Sequence, residues 1–184
     1  MAEWFEFKTF DEPALERAVA AAGQLYSEMQ SGSTPRWLSL VGRSGTGKTH
    51  LARKVWNKWK NNLQDYRETE DSVTVRRDGR WIYWPQAVDR IRDGEYGLVP
   101  ALEQADMVIL DDIGGEYDPN GFTTSKLNTL ANARLGKWTI ITSNLSLQQI
   151  ASNLDQRIAD RMIRAGNKVL EVETASYSVR NYEE

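Results

Sequence analysis

The sequence predicts a three-layer α/β fold, helices packed on both faces of a central parallel sheet. Three stretches predict it. The first is Gly42-Arg43-Ser44-Gly45-Thr46-Gly47-Lys48-Thr49, which meets the phosphate-loop pattern GxxxxGK[ST] at every fixed position. The second is Met107-Val108-Ile109-Leu110, an unbroken apolar run suited to a strand buried on both faces, and it ends in Asp111-Asp112. The third is Trp138-Thr139-Ile140-Ile141, a further strand that ends in Thr142-Ser143-Asn144. Open α/β sheets bind ligands beyond the carboxyl ends of their strands, where all three stretches place their polar residues.

The glycine-rich stretch sits in the context its chemistry needs. Trp37 to Val41 before it reads as a strand, and Leu51, Val55 and Trp59 after it repeat at helical spacing. Glycines let backbone wrap closely round an anion. The amides of residues 42–49, and of His50 on the first helical turn, would then face the phosphates. Lys48 is expected to reach the β and γ phosphates, and Thr49 to place its hydroxyl on Mg²⁺. A glycine-rich turn without a ligand is the plain alternative, but it leaves the strand-loop-helix context unexplained. Asp111 would hold the metal, and Asp112 would orient or deprotonate an attacking water or else cap a loop. If the 138–141 strand lies between the other two, Asn144 comes within reach of the γ-phosphate or that water.

In chain order, residues 1–10 carry Trp4, Phe5, Phe7 and Phe10 and read as an extended segment laid on the domain. Asp11 and Pro13 open a helix with an apolar stripe at Leu15, Ala18, Val19, Ala22, Leu25 and Met29. After the loop helix comes a polar surface excursion from about Asn61 to Arg80, with a short strand at Val73 to Val75. Trp81 to Trp84 is a second strand, Pro85 begins a helix facing Ala87, Val88 and Ile91 inward, and Leu98 to Gln104 is a further short helix. A loop at 114–121 leads to a helix marked by Phe122, Leu127, Leu130 and Ala131. Leu154, Ile158 and Met162 stripe the next one, with Arg157, Arg161 and Arg164 on an adjacent face. Those arginines are either solvated, one of them paired with Asp160, or offered to a neighbouring subunit. Lys168 to Val172 is the last strand. The whole is one domain, 1–184: an N-terminal segment and helix (1–36), a nucleotide-binding core (37–172) and a tail (173–184).

Composition narrows the chemistry. With no cysteine, disulfides and thiolate metal sites are excluded, and one histidine, His50, cannot build a His-based metal site. A net charge of −3 argues against a whole-surface grip on nucleic acid but allows a local basic patch. No apolar run approaches the length of a membrane span, so a cytoplasmic protein without membrane contact is expected.

Taken together, these stretches resemble the AAA+ ATPases, and among them the DnaC/IstB group of bacterial helicase loaders and transposon ATPase subunits. The resemblance is carried by Val108-Ile-Leu-Asp-Asp-Ile-Gly114, Ile140-Ile-Thr-Ser-Asn-Leu145 and Arg157-Ile-Ala-Asp-Arg-Met162, with a looser echo at Ser176-Tyr-Ser-Val-Arg180. It implies a sheet of order 5-1-4-3-2 with little or no helical lid. It makes Asn144 the sensor of the γ-phosphate. It also makes Arg161, in preference to Arg157, an arginine finger acting on the next subunit of a homo-oligomer. Arg90, Arg92, Trp81 and Trp84 become candidate contacts to single-stranded DNA, with core packing the first explanation for both tryptophans. The acid pair is Asp-Asp where many AAA+ chains carry Asp-Glu, and the segment before the first strand has room for one helix. The function implied is loading of a replicative helicase on single-stranded DNA. Alternatives are a transposition ATPase acting with a transposase on duplex DNA, a small-molecule kinase, and a nucleotide-dependent interaction module.

Overall fold

The computed structural model describes residues 13–67, 74–174 and 176. The expected segment at 1–10, the cap at Asp11, Val73 and the tail from 177 onward lie outside the described residues. Helix α1 (Pro13–Gln30) leads to strand β1 (Trp37–Val41), the glycine-rich loop and α2 (Lys48–Asn62). A small antiparallel hairpin of β2 (Asp65–Arg67) and β3 (Thr74–Arg76) occupies the polar excursion, and β4 (Gly79–Tyr83) follows. Then come α3 (Trp84–Arg92), α4 (Leu98–Gln104), β5 (Met107–Ile113), α5 (Phe122–Ala133) and β6 (Trp138–Ser143). A single turn, α6 (Leu147–Gln149), runs into a π-helical segment, Ile150–Leu154, before α7 (Gln156–Ile163) and β7 (Lys168–Glu171).

Five strands form one sheet in the order β4-β5-β6-β1-β7, and every neighbouring pair is parallel. Counted among the sheet strands alone this is 2-3-4-1-5, which is the expected 5-1-4-3-2 from its other edge. Parallel neighbours need crossovers, and the crossovers here are helices that cover both faces. Successive strand residues point to opposite faces. In β5, Met107 and Ile109 join the core under α1 and α2. Val108 and Leu110 join the core under α3, α4, α5 and α7. That division explains why the run had to be apolar without interruption.

Trp84 ends up as the first residue of α3, with Pro85 behind it, so β4 stops at Tyr83. Trp84 is fully buried, and Trp81 is half-buried in a cluster with Trp56 and Trp59, its ring centroid 6.2 Å from that of Trp56. Both serve packing in this structure.

Among the buried charged residues described, one is enclosed completely. Arg134, at the C-terminal end of α5, is 0% exposed. Its guanidinium donates to the carbonyls of Leu102 (3.2 Å), Ala105 and Trp138 (2.5 Å), and to Thr139 Oγ1 (3.2 Å). Its own carbonyl accepts from Trp37 Nε1 at 3.0 Å. The side chain thereby ties the end of α4 to the start of β6, and the carbonyl of the same residue ties in β1. Burial takes its pKa down to about 10, so the group is charged at any physiological pH.

Candidate functional site

The loop between β1 and α2 needs glycine for two separate reasons. Gly42 and Gly45 have φ of +118° and +78°, which side chains rarely tolerate. The chain beyond β7 also leaves no room for one. A Cβ on Gly42 would lie 2.9 Å from the carbonyl oxygen of Val172, and a Cβ on Gly45 would land on the side chain of Ser176. From Lys48 the chain is helical, and no acidic side chain lies in the first turn of α2. The first-turn amides of α2, on Lys48, Thr49 and His50, lie at the positive end of the helix dipole, an arrangement suited to an anion. His50 is largely exposed; partial desolvation, then the charges of Lys54 and Arg53, hold its pKa below the usual range.

Lys48 is 6% exposed and folds back over the loop. Its Nζ donates to the carbonyls of Gly42 (2.7 Å) and Arg43 (2.6 Å) and to Asn144 Oδ1 (3.1 Å). Burial lowers its pKa to about 8, against the opposing pull of Asp112 and Asp111. These contacts are to neutral oxygens, so an arriving phosphate would be the stronger partner.

The two acids sit at an irregularity in β5. Its register against β6 shifts between Leu110 and Ile113, and Asp112 adopts φ +64°. A regular strand would turn neighbouring side chains to opposite faces; a bulge re-aims one of them, and aspartate tolerates this backbone better than most residues. Asp111, 6% exposed, accepts from Thr49 Oγ1 (2.8 Å) and Thr142 Oγ1 (2.6 Å). Thr142 Oγ1 in turn accepts the Asp112 amide at 2.9 Å. The Asp112 carboxylate accepts Asn144 Nδ2 (2.6 Å) on one oxygen and the Tyr83 hydroxyl (3.3 Å) on the other. Asn144 thus bridges Lys48 to Asp112, one end of its amide to each. Sequence reasoning missed Thr142 and Tyr83. A threonine in the strand-end tripeptide was a signal for the first, whereas nothing local marked the second. Behind the acids, Glu116 accepts Trp84 Nε1 (3.0 Å) and the Gly114 amide (2.8 Å), and burial raises its pKa.

The remaining candidates fall elsewhere. Arg157 is exposed and forked onto Asp155 (2.8 Å), and Arg164 pairs with Asp160. Arg161 is half-buried against α5, donating to Asn128 Oδ1 (2.5 Å), the Arg157 carbonyl (3.1 Å) and Asn132 Oδ1 (3.3 Å). Arg90 is held by Glu95 at 2.6 and 2.7 Å, and Arg92 by the carbonyl of Tyr117 at 2.7 Å. Both of those guanidiniums are committed within the chain.

No protein-family model and no curated protein sequence matches the chain. Solved structures do match. The crystal structure of DnaI, 20% identical, aligns over 91% of this chain and 86% of its own with a TM-score of 0.70. The DnaC helicase loader, 18% identical, aligns over 94% of this chain and 100% of its own at 0.69. The chain shares their fold, the three-layer α/β P-loop fold of AAA+ proteins. The replication initiator DnaA, solved with AMPPCP and single-stranded DNA, shares it at 20% identity and a TM-score of 0.65, and there the match spans about half, 48%, of the longer chain. In this sheet β6 lies between β5 and β1, so the glycine-rich loop, the acid pair and Asn144 come to one carboxyl edge. A cleft of about 570 Å³ adjoins the loop and Asn144, lined by Gly42, Arg43, Asn144, Gln149, Glu173 and Thr174 among others.

Proposed function

We propose that this chain is an ATP-binding and ATP-hydrolysing switch that loads or remodels a replicative DNA helicase on single-stranded DNA, working as a homo-oligomer. The observation that carries the ATPase reading is the continuous set Lys48–Asn144–Asp112 beside the Thr49–Asp111 pair. In it a cation, an amide and a carboxylate are already joined across one edge.

ATP would take the first-turn amides of α2 for its phosphates, and Lys48 would leave the loop carbonyls for the β and γ oxygens. Thr49 and Asp111 converge as a hydroxyl and a carboxylate, oxygen donors that fit Mg²⁺, which commonly keeps few protein ligands beside phosphate. A metal held there would neutralise charge developing on the phosphates. Asp112 is the base for the attacking water, and Asn144 orients that water and registers the γ-phosphate. Arg161 serves the neighbouring subunit. Unlike Arg157 and Arg164 it has no carboxylate within 4 Å among the described residues, and it acts on Asp155 only at longer range.

The assignment of Arg161 is tested by titrating ATPase activity against protein concentration. Turnover per subunit should rise steeply with assembly, and Arg161→Ala should abolish the rise, a loss of about 10³–10⁵-fold where fingers dominate, with nucleotide affinity intact. Undiminished turnover would remove Arg161 from the reaction. The partner is tested by capture on a replicative helicase against a transposase, with single-stranded and duplex DNA in parallel. Retention by the transposase and duplex alone would transfer the function to transposition.

Lys48 makes binding pH-dependent. Bound phosphate favours its charged form and so raises the pKa from about 8. Affinity should be full below about pH 7 and fall as pH rises through 8, by up to about tenfold per unit until the pKa of the complex is reached. A fluorescent ATP analogue titrated from pH 6.5 to 9.5 reads this out; a flat profile would show that Lys48 does not change partners.

A further inference from the structure

Helix α5 turns two asparagines, Asn128 and Asn132, toward α7, one helical turn apart. Both present Oδ1 to the terminal nitrogens of Arg161, at 2.5 and 3.3 Å. The other two arginines of this face are treated differently: each has a carboxylate, Asp155 for Arg157 and Asp160 for Arg164. Asp155 lies close by, yet Asn128 spends its own Nδ2 on Asp155 Oδ2 at 3.0 Å and stands between that carboxylate and Arg161. Arg161 lines an open polar groove of about 560 Å³, whose other walls include Thr124, Ser125, Thr129 and the Asp155–Arg157 pair.

Carboxamides and carboxylates hold a guanidinium in similar geometry but differ in what they leave of its charge. A carboxylate pairs with it at short range and competes with any phosphate that approaches. A neutral amide oxygen fixes the planar fork, which is costly to order in a free side chain, and leaves the positive charge whole. We infer that Asn128 and Asn132 are positioning residues, a neutral cradle that orders Arg161 for a phosphate on the neighbouring subunit without discharging it. This rests on Arg161 acting in trans, as proposed above.

The decisive variant is Asn132→Asp, which keeps shape and the oxygen facing Arg161 and exchanges the amide NH2 for a charged carboxylate oxygen. Asn132→Ala and Arg161→Ala are made alongside it. For each, assembly-stimulated kcat, KM for ATP, self-association and the thermal midpoint are measured. The cradle predicts that Asn132→Asp lowers stimulated kcat by about tenfold or more, that Asn132→Ala lowers it less, and that KM and self-association hold. The midpoint of Asn132→Asp should stay level or rise, since the new pair ties α5 to α7. A purely structural contact predicts the reverse order, with aspartate as good as asparagine and alanine worst. Wild-type turnover in Asn132→Asp beside an inactive Arg161→Ala overturns the cradle and leaves the finger standing. Wild-type turnover in both overturns both. A loss of turnover that tracks a falling midpoint also overturns it.

Discussion

Asp112→Asn is expected to lower ATP turnover by about a hundred- to ten-thousand-fold, the usual worth of a general base, while nucleotide binding persists. The substitution is chosen for its backbone as much as its chemistry. Position 112 holds φ +64°, a conformation that asparagine accepts at least as readily as aspartate and that a branched residue would resist. Asparagine can still accept from Asn144 Nδ2 and still face the Tyr83 hydroxyl, so the β5 bulge should survive. What disappears is the negative charge that would take a proton from water. The protein should then accumulate in its ATP-bound assembly, seen by size-exclusion in ATP and by single-turnover quench. Unchanged hydrolysis would pass the base role to another carboxylate, of which Glu116 lies next along the chain; its partners are Trp84 and the Gly114 amide.

The largest structural loss should come from Arg134→Met. Replacing a buried ion with an apolar side chain can be harmless when its partners are removed too. Here the partners are backbone carbonyls of Leu102, Ala105 and Trp138, and they remain. Each orphaned buried acceptor costs about 1–3 kcal/mol, so after partial relaxation the total is on the order of 4 kcal/mol. In a chain of 184 residues that corresponds to a drop in thermal midpoint of about ten degrees. Circular dichroism melts in the absence of nucleotide measure it directly. A shift of only a degree or two would mean that water or side-chain rearrangement serves those carbonyls instead.

Much of the sheet was legible because burial imposes a period on the chain. Met107 to Leu110 had to be apolar on both faces, and the glycine pattern marked where β1 gives way to α2. The edge residues Asp111, Asp112 and Asn144 could be read because they follow such runs directly. Arg134 could not. A single arginine near a helix end looks like a solvated residue, and its acceptors come from α4 and β6. Tyr83 was hidden for the same reason: it meets Asp112 only because β4 and β5 pair with Tyr83 opposite Asp111. The strand at 81–84 was read one residue too far because Trp84 suits either element, and only the core beneath α3 decides between them. Periodicity shows which face of an element is buried, but not which distant residue lies across from it.

The stretch beyond β7 carries a mechanical consequence. The Val172 amide donates to the Val41 carbonyl at 2.8 Å, and Ser176 occupies the space over Gly45. Between β7 and Ser176 the chain therefore crosses the glycine-rich loop, and a pull on Ser176 bears on that loop. Tension applied there would be felt first at Gly45 and Gly42, before any helix on the far side of the sheet.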